Sequence, residues 1–272
     1  MISIIIPTFN EESFLPKLLL SIERQTYKDV EIIIADANST DTTRAIAEKF
    51  NCIIVDGGQP SAGRNAGAVI AKGEYLLFLD ADVILPEEFL EKTLEEFDEN
   101  FYELATTQVF PLSDLNIDQL FFYYCNAFYK TTNNFFPFMP GSCVFVTERM
   151  HRRIGGFDES LTVAEDHDYA TRAIKFGKYG VCTSSNIWVS VRRLEKEGRL
   201  NLINKYLLTN LPRLFAIKGA TEKKEEEYDP KAVHTKDLNK VEVFLEKFLD
   251  KAANKQTGYK KFRTKVKAKP KK

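Results

Sequence analysis

The chain is poor in the residues that mark a disulfide scaffold or a metal cage. Its 272 residues include four cysteines, Cys52, Cys125, Cys143 and Cys182, and three histidines, His151, His167 and His234, all widely spaced. With no C-x-x-C pair and no histidine cluster, four reduced, mostly buried thiols in a cytosolic protein are expected. No uncharged apolar run reaches the roughly eighteen residues of a membrane span. The opening Met1–Ile6 has no basic flank and too short an apolar run, so no secretory leader is expected. No G-x-G-x-x-G follows the first predicted strand, which argues against a dinucleotide oxidoreductase. An early Gly-rich phosphate loop, which would support a nucleotidylyltransferase, is also missing. Apolar residues at 44% and charged residues at 28% set aside disordered and collagen-like classes.

Charge is present but unevenly placed. From Lys251 onward there are ten Lys and Arg and no acid, which leaves residues 1–250 with 28 basic against 39 acidic groups, a net of −11. An acidic body with a basic tail and no RNA- or DNA-binding motif argues against a nucleic-acid partner.

Short β-branched runs alternate with helical patterns in the first half. Strands are expected at Ile2–Ile6, Val30–Ala35, Cys52–Val55 and Tyr75–Leu79, and helices at Glu12–Thr26, Ser39–Phe50, Ala62–Ala71 and Pro86–Glu99. This alternation predicts right-handed crossovers and a parallel sheet covered on both faces. The second half predicts strands at Leu104–Phe110, Gly141–Thr147 and Val181–Val191, and helices at Ile117–Tyr129, Glu148–Ile154 and Glu165–Phe176. Beyond it come an apolar segment, Leu200–Ile217, a charged linker, Thr221–Asp229, an amphipathic helix, Leu238–Ala252, and a Lys-rich tail.

Ligands of doubly wound folds sit at the carboxyl ends of the parallel strands. All four predicted strands there end in polar residues: Pro7, Thr8, Asn10 and Glu11; Asp36 and Ser39; Arg64 between Gly63 and Gly67; and Asp80-Ala81-Asp82. Paired carboxylates after an apolar strand suit a hard divalent cation, although acids at a strand end also simply solvate a turn. Asp36 is placed to accept from a base N–H, or to build an Asx-type turn or cap. Arg64 beside Gly63 is placed to contact phosphate, or to make a surface ion pair. Glu165-Asp166-His167-Asp168 opens a predicted helix, where acids favour the dipole. Glu165 or Asp166 becomes a general base if it faces the crevice.

Six segments in this order resemble the family 2 glycosyltransferases with the GT-A fold. They are IIIPTFNEE at Ile4–Glu12, IIIADANSTDTT at Ile32–Thr43, AGRNAG at Ala62–Gly67, YLLFLDAD at Tyr75–Asp82, GGFDE at Gly155–Glu159 and AEDHDYATR at Ala164–Arg172. The resemblance covers residues 1–193. It implies an α/β fold with a Rossmann-like, mostly parallel sheet, helices on both faces and a C-terminal helical extension. It further implies a donor pocket lined by Pro7, Thr8, Asn10 and Glu11, with Ser39 and Ala81 beside it. Asp36 would bond the base, Arg64 would sit near base or diphosphate, and Asp80 would hold the ribose side. Asp82, with Asp80, would bind Mn²⁺ or Mg²⁺, and Asp166, with Glu165 as second choice, would be the catalytic base.

The resemblance therefore implies metal-dependent, inverting transfer from a nucleotide-diphosphate sugar to a glycan, lipid-linked or small-molecule acceptor. The region of Trp188–Arg193 carries neither the Q-x-x-R-W motif nor the membrane spans of processive relatives, so transfer of a single sugar is expected. Arg192 and Arg193 are read either as anion contacts or as a surface pair. Aromatics crowd the acceptor half: Phe121–Tyr124, Phe128, Tyr129, Phe135, Phe136 and Phe138. The expected organisation is a transferase domain at 1–193, with nucleotide-sugar half 1–100 and acceptor half 101–193. A helical extension at 194–252 and a basic tail at 253–272 follow. A cytoplasmic location is expected, with contact to an anionic membrane through Leu200–Ile217 and the tail left open. The competing reading is a non-catalytic module that binds sugar nucleotide or membrane.

Overall fold

The structure, a computed structural model, describes residues 1–132, 137–161 and 163–202. Phe135 and Phe136, most of the segment Leu200–Ile217, the charged linker, the helix expected at Leu238–Ala252 and the basic tail all lie outside the described residues.

The elements in chain order are β1 (Ile2–Thr8), α1 (Leu15–Glu23), β2 (Val30–Asp36), α2 (Thr43–Lys49), β3 (Ile53–Asp56), α3 (Pro60–Ile70), β4 (Tyr75–Leu79), β5 (Val83–Ile84) and α4 (Phe89–Glu99). They continue with β6 (Leu104–Pro111), α5 (Asn116–Thr132), β7 (Cys143–Thr147), α6 (Glu148–Arg153), α7 (Glu165–Ala173), β8 (Tyr179–Val189) and α8 (Arg192–Glu197). The strands form one sheet in the order β3-β2-β1-β4-β7-β6-β8-β5. β1 pairs in parallel with β2 and β4, and β2 with β3, as the alternating pattern predicts. β7 runs antiparallel to β4 and β6, while β6 and β8 are parallel.

The two-residue β5 was not foreseen, and it shapes the site. It pairs antiparallel with β8, Val83 opposite Val189 and Ile84 opposite Trp188. Only Asp80-Ala81-Asp82 separates β4 from β5, yet the two strands lie at the fourth and last places of the sheet. The sheet therefore curls until its far edge returns over the carboxyl end of β4.

Apolar side chains fill both faces, as a sheet buried on both sides requires. Ile2, Ile4 and Ile6 of β1 pack with Leu15, Leu18, Leu19 and Ile22 of α1 on one face. Ile5, Ile33, Leu76 and Phe78 pack with Phe157 and Tyr169 on the other. Each fully buried Leu, Ile or Phe contributes about 1.5–3 kcal/mol before entropic costs. A third cluster joins Phe121, Phe128, Tyr129 and Phe138 to Leu194 and Leu202, so much of the aromatic run of α5 is core. Tyr123 is exposed.

Several helices start later than their sequence pattern predicts. α2 begins at Thr43 rather than Ser39, because Asp36 takes the Ser39 N–H and Asn10 takes the Thr40 N–H, which holds that stretch as a loop. Pro86 precedes α4 in a turn, its carbonyl accepting the Phe89 N–H. Gly67 serves packing, since a Cβ there would come within 2.4 Å of Ile5 Cγ2. The expected boundary between residues 193 and 194 falls inside α8, whose Leu194 is buried in the third cluster.

His151 is a buried core residue. It is 8% exposed, tilts against Phe78 and shares a 2.8 Å hydrogen bond between Nδ1 and the Tyr169 hydroxyl. Burial, helped by the Arg172 charge, lowers its pKa to about 4. Below the ordinary value near 6.5 the unfolded chain takes up a proton that the folded chain refuses, so stability falls as pH drops from there towards 4. The loss is on the order of 3 kcal/mol. Urea denaturation should show wild type losing about 3 kcal/mol more than His151→Gln between pH 7 and pH 4; equal pH dependences would contradict this account.

Candidate active site

The ends of β1 and β2 lie side by side, Thr8 opposite Asp36. Asp36 has no exposed surface and accepts from Thr8 Oγ1 (3.0 Å), Ser39 Oγ (2.6 Å), Ser39 N–H (3.0 Å) and Arg44 Nη1 (3.2 Å). Burial pushes its pKa up, but the hydrogen bonds from Ser39, Thr8 and Arg44 outweigh that and hold it below the usual carboxylate range. Both oxygens are engaged by protein donors. Asp36 builds the loop from beneath.

Ser39 Oγ also accepts the Asn10 N–H at 2.9 Å, and Asn10, in the left-handed region at φ 54°, accepts the Thr40 N–H. Pro7 stays within β1 beneath α3, and a Cβ at Gly63 would lie 3.3 Å from it. Glu11 follows, its N–H bonded to Thr43 Oγ1 and its carboxylate doubly bonded to Arg192 at 2.7 and 2.8 Å.

The turn after β4 buries Ala81 and brings Asp80 and Asp82 to a shared cavity. Asp82 lies 2.9 Å from Arg192 Nε, and burial with the neighbouring Asp80 pushes its pKa up to about 6 against the pull of Arg192. Asp80 accepts from Arg64 Nη2 at 3.0 Å; partial burial raises its carboxyl, Arg64 opposes, and Asp166 and Glu165 add to the rise.

Arg64 is buried, which rules out the surface ion pair. Its Nη1 donates to Glu165 Oε1 at 3.1 Å, its Nη2 to Asp80 and to the Gly141 carbonyl, and its guanidinium lies 5.2 Å from the Phe157 ring centroid. The residue thus couples the end of β4 to the start of α7, and its terminal nitrogens are held by protein acceptors.

α7 opens from Ala164, in the left-handed region at φ 62°, with acids in its first turn where the helix dipole favours them. Glu165 is tied to Arg64. Asp166 Oδ1 accepts the His167 N–H at 2.8 Å, and among the described residues no donor meets Oδ2, which lies beside Gly141. Burial raises the Asp166 carboxyl, with Glu165 adding and His167 and Arg64 opposing. His167 is engaged locally: Nδ1 accepts the Met139 N–H at 3.4 Å and the ring packs 4.0 Å from Phe138.

A cavity of about 590 Å³ joins these groups. Asp80, Asp82 and Arg64 form one polar wall, and Glu165, Asp166 and His167 another. Phe121, Phe122, Tyr129 and Phe138 with Leu194 and Leu202 give the cavity an apolar wall. Four carboxylates, Asp80, Asp82, Glu165 and Asp166, line it; Arg64 pairs with Asp80 and Glu165, and Arg192 pairs with Asp82 and with Glu11. Among the described residues no three His, Cys, Asp or Glu side chains form a ready-made metal cage.

Sequence reasoning missed the Arg192 partnership with Glu11 and Asp82, and the part played by Gly141. Arg192 stood out as half of a basic pair, but its partners meet it only through the β5–β8 pairing. Arg193 pairs with Glu197 and borders the cavity. Replacing Arg64 with Leu should cost about 2 kcal/mol in urea denaturation, below the penalty for a fully buried pair because Asp80 and Glu165 both reach solvent. An unchanged midpoint would mean that solvent alone screens those carboxylates.

Known proteins resemble this chain in sequence and in fold. The sequence model of the family described as Glycosyl transferase family 2 matches residues 3–153, which ends before Glu165 and Asp166. Glycosyltransferase GlyG of Streptococcus pneumoniae serotype 4 is 30% identical over 146 residues, covering 44% of this chain and 48% of that protein. The GalNAc(5)-diNAcBac-PP-undecaprenol beta-1,3-glucosyltransferase of Campylobacter jejuni is 32% identical over 111 residues, covering 37% of this chain and 35% of that one. The matches therefore span about half or less of these relatives' lengths. Among solved structures, S. aureus TarS 1–349 in complex with UDP superposes with a TM-score of 0.57 at 22% identity, over 70% of this chain and 60% of that one. Mannosyltransferase PcManGT from Pyrobaculum calidifontis, in complex with GDP-Man and Mn²⁺, gives 0.54 at 20% identity, over 67% and 56%. The curled, mostly parallel sheet is thus the GT-A fold, and with more than half of its length matched, the chain belongs to glycosyl transferase family 2.

Proposed function

We propose that the chain is a glycosyltransferase that moves a single sugar from a nucleotide-diphosphate sugar to an acceptor hydroxyl or lipid phosphate, with inversion and without processivity. One observation carries this reading. The D-x-D carboxylates Asp80 and Asp82 and the carboxylate of Asp166 border the same cavity, from two elements joined by Arg64.

The donor set suits a divalent cation: Asp80 and Asp82 offer hard oxygens in a crevice where acids outnumber bases. Mn²⁺ or Mg²⁺ would be held by Asp82 with Asp80, and when bound it supplies positive charge to the departing nucleoside diphosphate. Pro7, Thr8, Asn10, Glu11, Ser39 and Ala81 shape the donor pocket, with Asp36 and Arg64 stabilising its floor and wall.

Asp166 is the better base of the acidic pair. Glu165 is neutralised by Arg64, whereas Asp166 keeps Oδ2 available, and its raised pKa brings proton affinity closer to what general-base work needs. It would accept the acceptor's proton as the hydroxyl oxygen attacks the anomeric carbon opposite the leaving group. With a lipid phosphate, already anionic, Asp166 orients rather than deprotonates. The apolar wall of α5 and α8 would receive the acceptor's less polar portion.

No described helix is long and apolar enough to cross a membrane. The membrane contact left open for Leu200–Ile217 and the Lys-rich tail falls almost wholly outside the described residues. A cytoplasmic site of action is part of the proposal.

A thermal-shift screen of UDP, GDP and CMP and their sugar conjugates, with Mn²⁺, Mg²⁺ or EDTA, should give a metal-dependent rise with one nucleotide class. Asp82→Asn should remove that rise. Absence of any shift would favour the non-catalytic alternative. Asp166→Asn should retain the nucleotide shift and lower transfer on the order of a hundredfold or more; unchanged turnover would sink the base assignment.

A further inference from the structure

Arg192 joins two groups of the donor pocket that sequence places far apart. Its Nη1 and Nη2 donate to both Glu11 oxygens at 2.8 and 2.7 Å, while its Nε lies 2.9 Å from Asp82 Oδ2. The guanidinium carbon rests 4.8 Å from the centre of the Phe14 ring. Glu11 comes from the loop after β1, Asp82 from the turn after β4, and Arg192 opens α8.

A guanidinium and a divalent ion on the same carboxylate compete, because each satisfies the same charge. We propose that Arg192 is an internal placeholder for the cation at Asp82: in the donor-free protein it neutralises this carboxylate, and the divalent ion takes Asp82 only together with the nucleoside diphosphate. The inference rests on the metal and donor reading given above.

The geometry of the fork supports it. Both hydrogen bonds of the fork go to Glu11 and Asp82 is held by the ion pair at Nε, so when Nε lets go of Asp82 the guanidinium keeps a bidentate partner and is not stranded. Opening therefore breaks one ion pair and leaves both hydrogen bonds to Glu11 in place. Without Arg192, Asp82 would stand beside Asp80 and Glu11 in a partly desolvated crevice with no compensating charge. A divalent ion arriving alone meets that competitor with few oxygens to complete its shell. An ion arriving with a diphosphate brings phosphate oxygens of its own.

Mn²⁺ binding to the full chain, followed by electron paramagnetic resonance of the free ion, tests this without reference to turnover. Measurements are made with Mn²⁺ alone and with UDP or GDP added. Wild type should bind Mn²⁺ weakly alone and on the order of tenfold or more tightly with one of the nucleotides. Arg192→Met, which keeps length and loses charge, should bind Mn²⁺ alone on the order of tenfold more tightly than wild type, with the nucleotide effect reduced. Arg192→Lys, a cation without the fork, should fall between them, and it carries the comparison if the Met variant does not fold. Asp82→Asn should abolish the site in either background. If neither Arg192 variant tightens Mn²⁺ binding while Asp82→Asn still abolishes it, the placeholder is overturned and the metal reading stands. Mn²⁺ binding that ignores Asp82→Asn, or that no protein shows with either nucleotide, overturns both.

Discussion

Two arginines hold together a crevice that its own carboxylates would otherwise drive apart. Glu11, Asp80, Asp82, Glu165 and Asp166 come from three stretches of chain, and like charges at this density oppose folding unless they are neutralised. Arg64 answers on one side, bridging β4 to α7, and Arg192 on the other, bridging β1 and the β4–β5 turn to α8. Each guanidinium is planar and forked, so it fixes direction as well as charge. With five acids against two arginines, the crevice keeps a residual negative charge.

The sheet makes this arrangement reachable. Four parallel strands deliver their polar ends to one edge, but they alone would leave Asp82 facing open solvent. The short β5 strand carries the chain straight from Asp82 to the far edge of the sheet, where β8 leads into α8. That pairing brings Arg192 and Leu194 over the carboxyl end of β4, and one helix then closes both the donor side and the apolar wall of the cavity. Close packing beneath keeps the frame rigid: Gly67 lets α3 lie against Ile5, which in turn places Arg64 under the Asp80 turn.

Hydrogen bonding decides among groups that look equivalent by residue type. Asp36 and Asp166 are both acids at the end of a regular element, Asp36 closing β2 and Asp166 in the first turn of α7. Asp36 is surrounded by four protein donors and becomes part of the scaffold, whereas among the described residues Asp166 meets His167 alone, through its N–H and its ring at Oδ1. Glu165 and Asp166 are neighbours in sequence, yet Arg64 takes only the first.

Much of the fold was legible because burial and strand alternation are local signals. The β-branched runs at Ile2–Ile6, Val30–Ala35 and Tyr75–Leu79 announce strands, and helical spacing in Leu15, Leu18, Leu19 and Ile22 announces α1. Polar residues at strand ends and the order of six motifs pointed to the crevice and to the family. Helix starts were misread at Ser39 and Pro86 because side-chain and turn hydrogen bonds there compete with the helix, and periodicity does not register them. The two residues of β5 carry no period at all. Residue types and chain order thus determined by themselves the parallel sheet, the acidic edge and the candidate D-x-D and E-D groups. Only the tertiary structure decided which acids are neutralised, by which arginine and at which oxygen, since those pairings join residues as far apart as Glu11 and Arg192 through a curl of the sheet that no local pattern encodes.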